Sequence, residues 1–163
     1  LRRIFVPIAS AAHAAHELGV IHRDITPRNI FLAEDRVYLL DFGIAKILPS
    51  AGGVTITNFV TQEGTFVGTP RFMAPERIFG EECTAAADVW SIAAILYRAI
   101  AGEHPIEATT IGERIKMASK NTIAPITTKR TTISPALATW IMRALSPIPV
   151  ARPSLSELIR LLG

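Results

Sequence analysis

Apolar residues recur with a helical period at the start of the chain. Ile4, Phe5, Ile8, Ala12, Ala15 and Leu18 fall on one face of a 3.6-residue repeat, and Gly19 is placed to end it. That pattern predicts a helix over residues 1–19. Residues 20–29 are polar and contain Pro27, which predicts a loop. Two strand-like runs follow, at 29–33 and 36–40, around a turn at Glu34-Asp35. Residues 41–76 are rich in Gly, Pro, Thr and Ser and carry no clean period. A structureless stretch of that length in a compact domain is uncommon and usually functional. From residue 85 the apolar positions dominate. A helix over 85–101 has Thr84 as candidate N-cap and Gly102 as terminator. Further helices fit 107–120, 134–144 and 154–162, with Ser134-Pro135 and Pro153-Ser154 as starts. The chain is mainly α with one small hairpin, and helices without alternating strands argue against a doubly wound sheet.

Composition narrows the class. A chain of 163 residues fits one domain, and 49% hydrophobic residues exclude intrinsic disorder. The most apolar stretch, 85–101, is broken by Asp88 and Arg98 and falls short of the ~20 residues a membrane span needs. Net charge is +3, but the basic residues are scattered and no basic run is interleaved with aromatics. Nucleic-acid binding therefore has little support. Cys83 is the single cysteine, which excludes an internal disulfide and a cysteine metal site and makes a reducing, cytoplasmic setting the default. The chain starts at Leu1, not Met, and is expected to be part of a longer protein.

The hairpin concentrates polar chemistry. A turn centred on residue 35 sets Ile30 opposite Leu40, Phe31 opposite Leu39, Leu32 opposite Tyr38, and Asn29 opposite Asp41. Opposed residues have Cβ atoms roughly 4.5–5.5 Å apart. An amide oxygen and a carboxylate would then converge, a donor set suited to Mg²⁺. Asp24 lies five residues before Asn29 and adds a second carboxylate. The plainer reading is an Asx turn at Asn29 and a cap at Asp41, and a one-residue register shift would break the pairing.

His22-Arg23-Asp24, then Asn29, then Asp41-Phe42-Gly43 resembles the catalytic loop and metal-binding turn of protein kinases. Three further segments match in order and spacing. Gly68-Thr69-Pro70-Arg71-Phe72-Met73-Ala74-Pro75-Glu76 is similar to the end of the kinase activation segment. Asp88-Val89-Trp90-Ser91 resembles the start of the buried helix beneath the catalytic loop, and Ala151-Arg152-Pro153-Ser154 the segment that pairs an Arg with Glu76. Pro27 and Gly68-Thr69-Pro70 point to a serine/threonine kinase of the bacterial, eukaryotic-like type.

The resemblance implies a protein-kinase-like C-terminal lobe over 1–163, with the N-terminal lobe absent. It would comprise a catalytic loop at 22–29, an activation segment at 41–76 and a helical subdomain at 84–163. It implies ATP and Mg²⁺ as cofactors and a protein Ser/Thr substrate. Asp24 would accept the substrate hydroxyl's proton. Asn29 and Asp41 would hold the metal, and Phe31 would floor the adenine. Arg23 would read a phosphate on the activation segment, where Thr61 or Thr65 could be modified, and Thr69 would contact Asp24. Asp88 would bond backbone N–H groups of the catalytic loop. Glu76 and Arg152 would form a buried ion pair.

Two departures bear on activity. Thr26 stands where serine/threonine kinases usually carry a Lys that contacts the transferring phosphate, and Arg28 is a candidate substitute. No Gly-x-Gly-x-x-Gly occurs, and none of Lys46, Lys116, Lys120 and Lys129 precedes the catalytic loop. The isolated chain is expected to transfer phosphate negligibly without the missing lobe. It should also expose an apolar patch where that lobe would sit. A pseudokinase or interaction module is the alternative, and a small-molecule phosphotransferase ranks below both.

Overall fold

Helix α1, Arg2–Glu17, buries Phe5, Ile8, Ala9 and Ala12 along one face. A computed structural model describes residues 1–42, 71–120, 122–130 and 132–163 of the chain. Helix α1 stops at Leu18, and Gly19 takes a φ of 74°, the left-handed turn that redirects the backbone into the following loop. A single 3₁₀ turn, Pro27–Asn29, leads into strand β1, Ile30–Leu32. Strand β2, Val37–Leu39, pairs with it antiparallel.

The observed register differs from the expected one by one residue. Ile30 pairs with Leu39, Phe31 with Tyr38 and Leu32 with Val37. The turn holds two residues, Glu34 and Asp35, closed by the Ala33 N–H donating to Arg36 O at 2.9 Å. A two-residue turn has its centre between residues, so every pair moves by one. Leu40, not Asp41, therefore lies beside Asn29, and the Leu40 N–H donates to Asn29 O at 2.8 Å.

Six helices follow among the described residues: α2 Pro75–Phe79, α3 Ala86–Ala101, α4 Ile111–Ser119, α5 Ile126–Lys129, α6 Pro135–Ala144 and α7 Leu155–Leu162. Short α2 begins inside the stretch expected to lack structure, because Pro75 is pre-set for the first helical position. The four-residue α5 is too short to show a period. Helix α4 starts later than expected, where the Thr110 side chain accepts from the Glu113 N–H. Thr84 is not the cap of α3; Ala85 holds that position without a side-chain bond. Ser134 and Ser154 do cap α6 and α7, accepting from Leu137 N at 3.3 Å and Glu157 N at 3.2 Å.

Helix α3 is the centre of the core. Nearly every residue from Ala87 to Tyr97 is buried, and the helix touches α1, α5, α6 and the 3₁₀ turn at Pro149–Ala151. Gly102 ends it at a φ of 81°. Helix α1 packs chiefly on α7 and β2. The hairpin is thus held against α1 and the loop that precedes it. Among the described residues no helix is long and apolar enough to cross a membrane.

Candidate active site

The loop between α1 and β1 is organised by one buried carboxylate. Asp88, 1% exposed near the start of α3, accepts the His22 N–H through Oδ2 at 2.9 Å and the Arg23 N–H through Oδ1 at 2.9 Å. His16, in the last turn of α1, donates from Nε2 to the same Oδ2 at 2.8 Å. One carboxylate oxygen can accept more than one bond, and this set satisfies a buried acid that would otherwise be costly. Arg23 has a φ of 67°, left-handed for a non-glycine residue. Such a conformation costs of order 1–3 kcal/mol and persists only where its surroundings over-determine it. Asp88 fixes its N–H, and Arg77 on α2 donates Nη1 to its carbonyl.

Asp24 follows at once. Its N–H donates to His22 Nδ1 at 3.3 Å, while His22 Nε2 donates to Leu40 O at 2.8 Å. These partners fix the His22 tautomer with the proton on Nε2. The Asn29 amide nitrogen donates to Asp24 O at 2.8 Å and lies 3.4 Å from Asp24 Oδ2. Asp24 and Asn29 are therefore joined directly by the 3₁₀ turn between them. Thr26 precedes that turn, half-buried and extended, and Arg28 is exposed on it.

Asp41 is not set opposite Asn29, whose carbonyl accepts from the Leu40 N–H instead. It takes a φ of 57° and so leaves the strand alternation just after Leu40. Its two neighbours both touch His22: Leu40 by the carbonyl bond, Phe42 by ring contact at 4.6 Å between centroids. Arg23 and Asp41 are the non-glycine residues with positive φ among those described, and both bracket the site. Phe31, 56% exposed on β1, lies 6.4 Å from the Tyr38 ring. With Leu40 these rings make an exposed apolar face on the hairpin. Thr61, Thr65 and Thr69 lie outside the described residues.

The donor chemistry can be tested against Mg²⁺. Among the described residues no group of three His, Cys, Asp or Glu could hold a metal. Asn29 spends its N–H on Asp24, which leaves its oxygen as the acceptor, and Asp41 is an exposed carboxylate. Mg²⁺ commonly takes one or two protein oxygens and completes its shell with phosphate oxygens and water. The residues present fit that pattern.

A second buried pair sits farther from the loop. Arg152 donates Nη1 to Glu76 Oε1 at 2.7 Å and Nη2 to Glu76 Oε2 at 2.8 Å, a bidentate fork. Its remaining donors reach Ser146 O and Ala86 O, both at 2.9 Å, and its guanidinium carbon lies 5.1 Å from the Trp90 ring. The pair ties α2 to the start of α3 and to the turn before α7. Sequence reasoning missed His16, Arg77 and Arg114, whose contacts depend on tertiary proximity. It could have flagged only His16, a polar residue on a helix face otherwise meeting the core.

The loop thus carries an Asp–Asn bond, is pinned by a buried Asp on a central helix, and is followed in sequence by a left-handed Asp. The chain belongs to the protein kinase domain family, whose model matches residues 1–161. It is similar to the serine/threonine-protein kinase PknH of Mycobacterium bovis, 40% identical over 124 residues, covering 76% of this chain and 19% of that protein. PknD of Mycobacterium tuberculosis is 38% identical over 148 residues, covering 89% of this chain and 21% of that protein. The serine/threonine-protein kinase pkn3 of Myxococcus xanthus is 37% identical over 163 residues, covering 95% of this chain and 29% of that protein. The chain spans less than a third of the length of these relatives.

Proposed function

We propose that this chain is the C-terminal, substrate-binding lobe of a serine/threonine protein kinase that transfers the ATP γ-phosphoryl group to protein hydroxyls. The observation that carries the reading is the Asp88 clamp, which holds Arg23 in a strained conformation directly before Asp24. Asp24 accepts the proton of the incoming hydroxyl and orients its oxygen. Asn29 and Asp41 would hold Mg²⁺, which would neutralise charge on the phosphoryl group that ATP supplies. The exposed Phe31 ring meets the adenine. Arg23 keeps a buried Nε with no partner among the described residues, which suits an acceptor delivered by the activation segment. Arg28, exposed on the 3₁₀ turn, takes the cationic role that Thr26 cannot.

The Gly-rich loop and phosphate-gripping Lys of the family do not occur in these 163 residues. The chain by itself therefore binds nucleotide weakly and transfers phosphate negligibly, and the exposed hairpin face is where the other lobe docks. Thr26 favours a second reading, a pseudokinase. The two separate in one experiment on the complete protein. Label from γ-labelled ATP should appear on Ser or Thr of a protein substrate, require Mg²⁺, and vanish in Asp41→Asn. A complete protein that transfers nothing, or an Asp41→Asn variant with full activity, overturns the kinase reading.

A further inference from the structure

Arg114 on α4 is 3% exposed, yet among the described residues no carboxylate pairs with it. Its guanidinium serves two backbone carbonyls instead. Nη1 donates to Ile106 O at 3.1 Å and Nη2 donates to Arg71 O, while Nε is buried without a partner. Burial and the neighbouring charge of Arg71 push its pKa down to about 10, with Glu107 opposing. A cation is thus kept where its surroundings disfavour it, and the two carbonyls are what it holds.

The Arg71 carbonyl lies in a segment tethered from several sides. The Ser91 hydroxyl on α3 donates to Phe72 O at 2.8 Å. The Phe72 ring meets the His104 ring at 5.1 Å, and His104 is 4% exposed, its backbone N–H bonded to Glu107 Oε1 at 2.9 Å. Residues 71 and 72 are therefore held carbonyl by carbonyl, Arg71 from α4 and Phe72 from α3. They come two residues after Thr69, which the kinase resemblance sets beside Asp24, and directly before the stretch where Ala74, Pro75 and Glu76 are buried.

We propose that Arg114 is a positioning residue for the protein substrate: it bridges Arg71 to the Ile106 turn and so fixes the backbone on which the acceptor peptide lies. This role rests on the kinase reading. The bridge needs the planar guanidinium fork. A Lys ammonium is a point charge and cannot span both carbonyls in one geometry.

The test uses the complete protein with Arg114→Lys and Arg114→Met, the latter filling the buried space without a charge. In both, the KM for a Ser/Thr peptide should rise about tenfold, the scale of one lost hydrogen bond to a charged group. The KM for ATP should stay unchanged. Amide exchange should quicken at Phe72 and Met73 and stay unchanged in α6 and α7. An unchanged peptide KM, or equal rises in both KM values with faster exchange throughout, overturns the proposal. A wild-type protein that transfers no phosphate overturns the substrate role together with the kinase reading. Local exchange at residues 72 and 73 then tests the bridge alone, and no change there removes it.

Discussion

Replacing Arg152 with Ala removes the guanidinium that both oxygens of Glu76 use. Glu76 is 3% exposed, so its carboxylate is left buried and unpaired. Truncating one partner of a buried pair costs about 3–5 kcal/mol, against ~0–1 kcal/mol for an exposed pair. The carbonyls of Ser146 and Ala86 also lose a donor, and Trp90 loses a cation over its ring. These losses overlap with the first, because water entering the vacated space re-solvates all four groups. The expected total is therefore about 4 kcal/mol, a large share of the 5–15 kcal/mol typical of a domain. Urea melts at pH 7 followed by tryptophan fluorescence read it directly, since Trp90 and Trp140 are both buried and Trp90 adjoins the pair. The double variant Glu76→Gln with Arg152→Met should cost less than Arg152→Ala alone, because it leaves no orphaned charge. A single-variant loss below ~1 kcal/mol, or a double variant as damaging as the single, would refute the reasoning.

Other expectations follow from the same geometry. In the complete protein, Arg28→Ala should lower kcat by roughly 10²–10³, the cost of removing one donor to a developing charge; near-wild-type turnover removes Arg28 from the reaction. Burial, with Arg98 and Arg71 adding to it, holds the His104 imidazole down to about 4, against ~6.5 when unfolded. The unfolded chain binds the extra proton, so stability is full above pH 6.5 and falls as pH drops toward 4. Between pH 7 and pH 5 the loss should be about 2 kcal/mol in urea melts, and His104→Phe should flatten it; an unchanged slope contradicts the assignment. Asp88→Asn sets an amide N–H₂ against N–H donors from His16, His22 and Arg23. A destabilisation of about 1.5–3 kcal/mol in the same melts is expected, and no loss would mean the clamp is not needed.

Legibility from sequence followed range. The caps Ser134 and Ser154 act within three residues, so local spacing exposed them. The catalytic-loop and Asp88 segments could be matched because their residue types sit in fixed order. The hairpin itself was visible, but its register turned on whether the turn held an even number of residues, which composition does not encode. Helices α2 and α5, five and four residues long, are shorter than any period can resolve. The bonds from His16 to Asp88, Arg77 to Arg23 and Arg114 to Arg71 join positions 72, 54 and 43 residues apart. Nothing in a helical repeat couples residues at such separations, and each of these side chains reads as a solvated or structural polar residue until the fold brings it to a backbone group.

Asp24 is the residue on which the reading of the loop converges, and its role separates from binding in a single kinetic comparison. With the complete protein, saturating Mg²⁺-ATP and a Ser/Thr peptide, Asp24→Asn should lower kcat by about 10²–10⁴, the contribution of a positioned general base, while the KM for ATP holds steady. Turnover within a few-fold of wild type would show that the proton leaves by another path and that the loop pinned by Asp88 does not carry the chemistry.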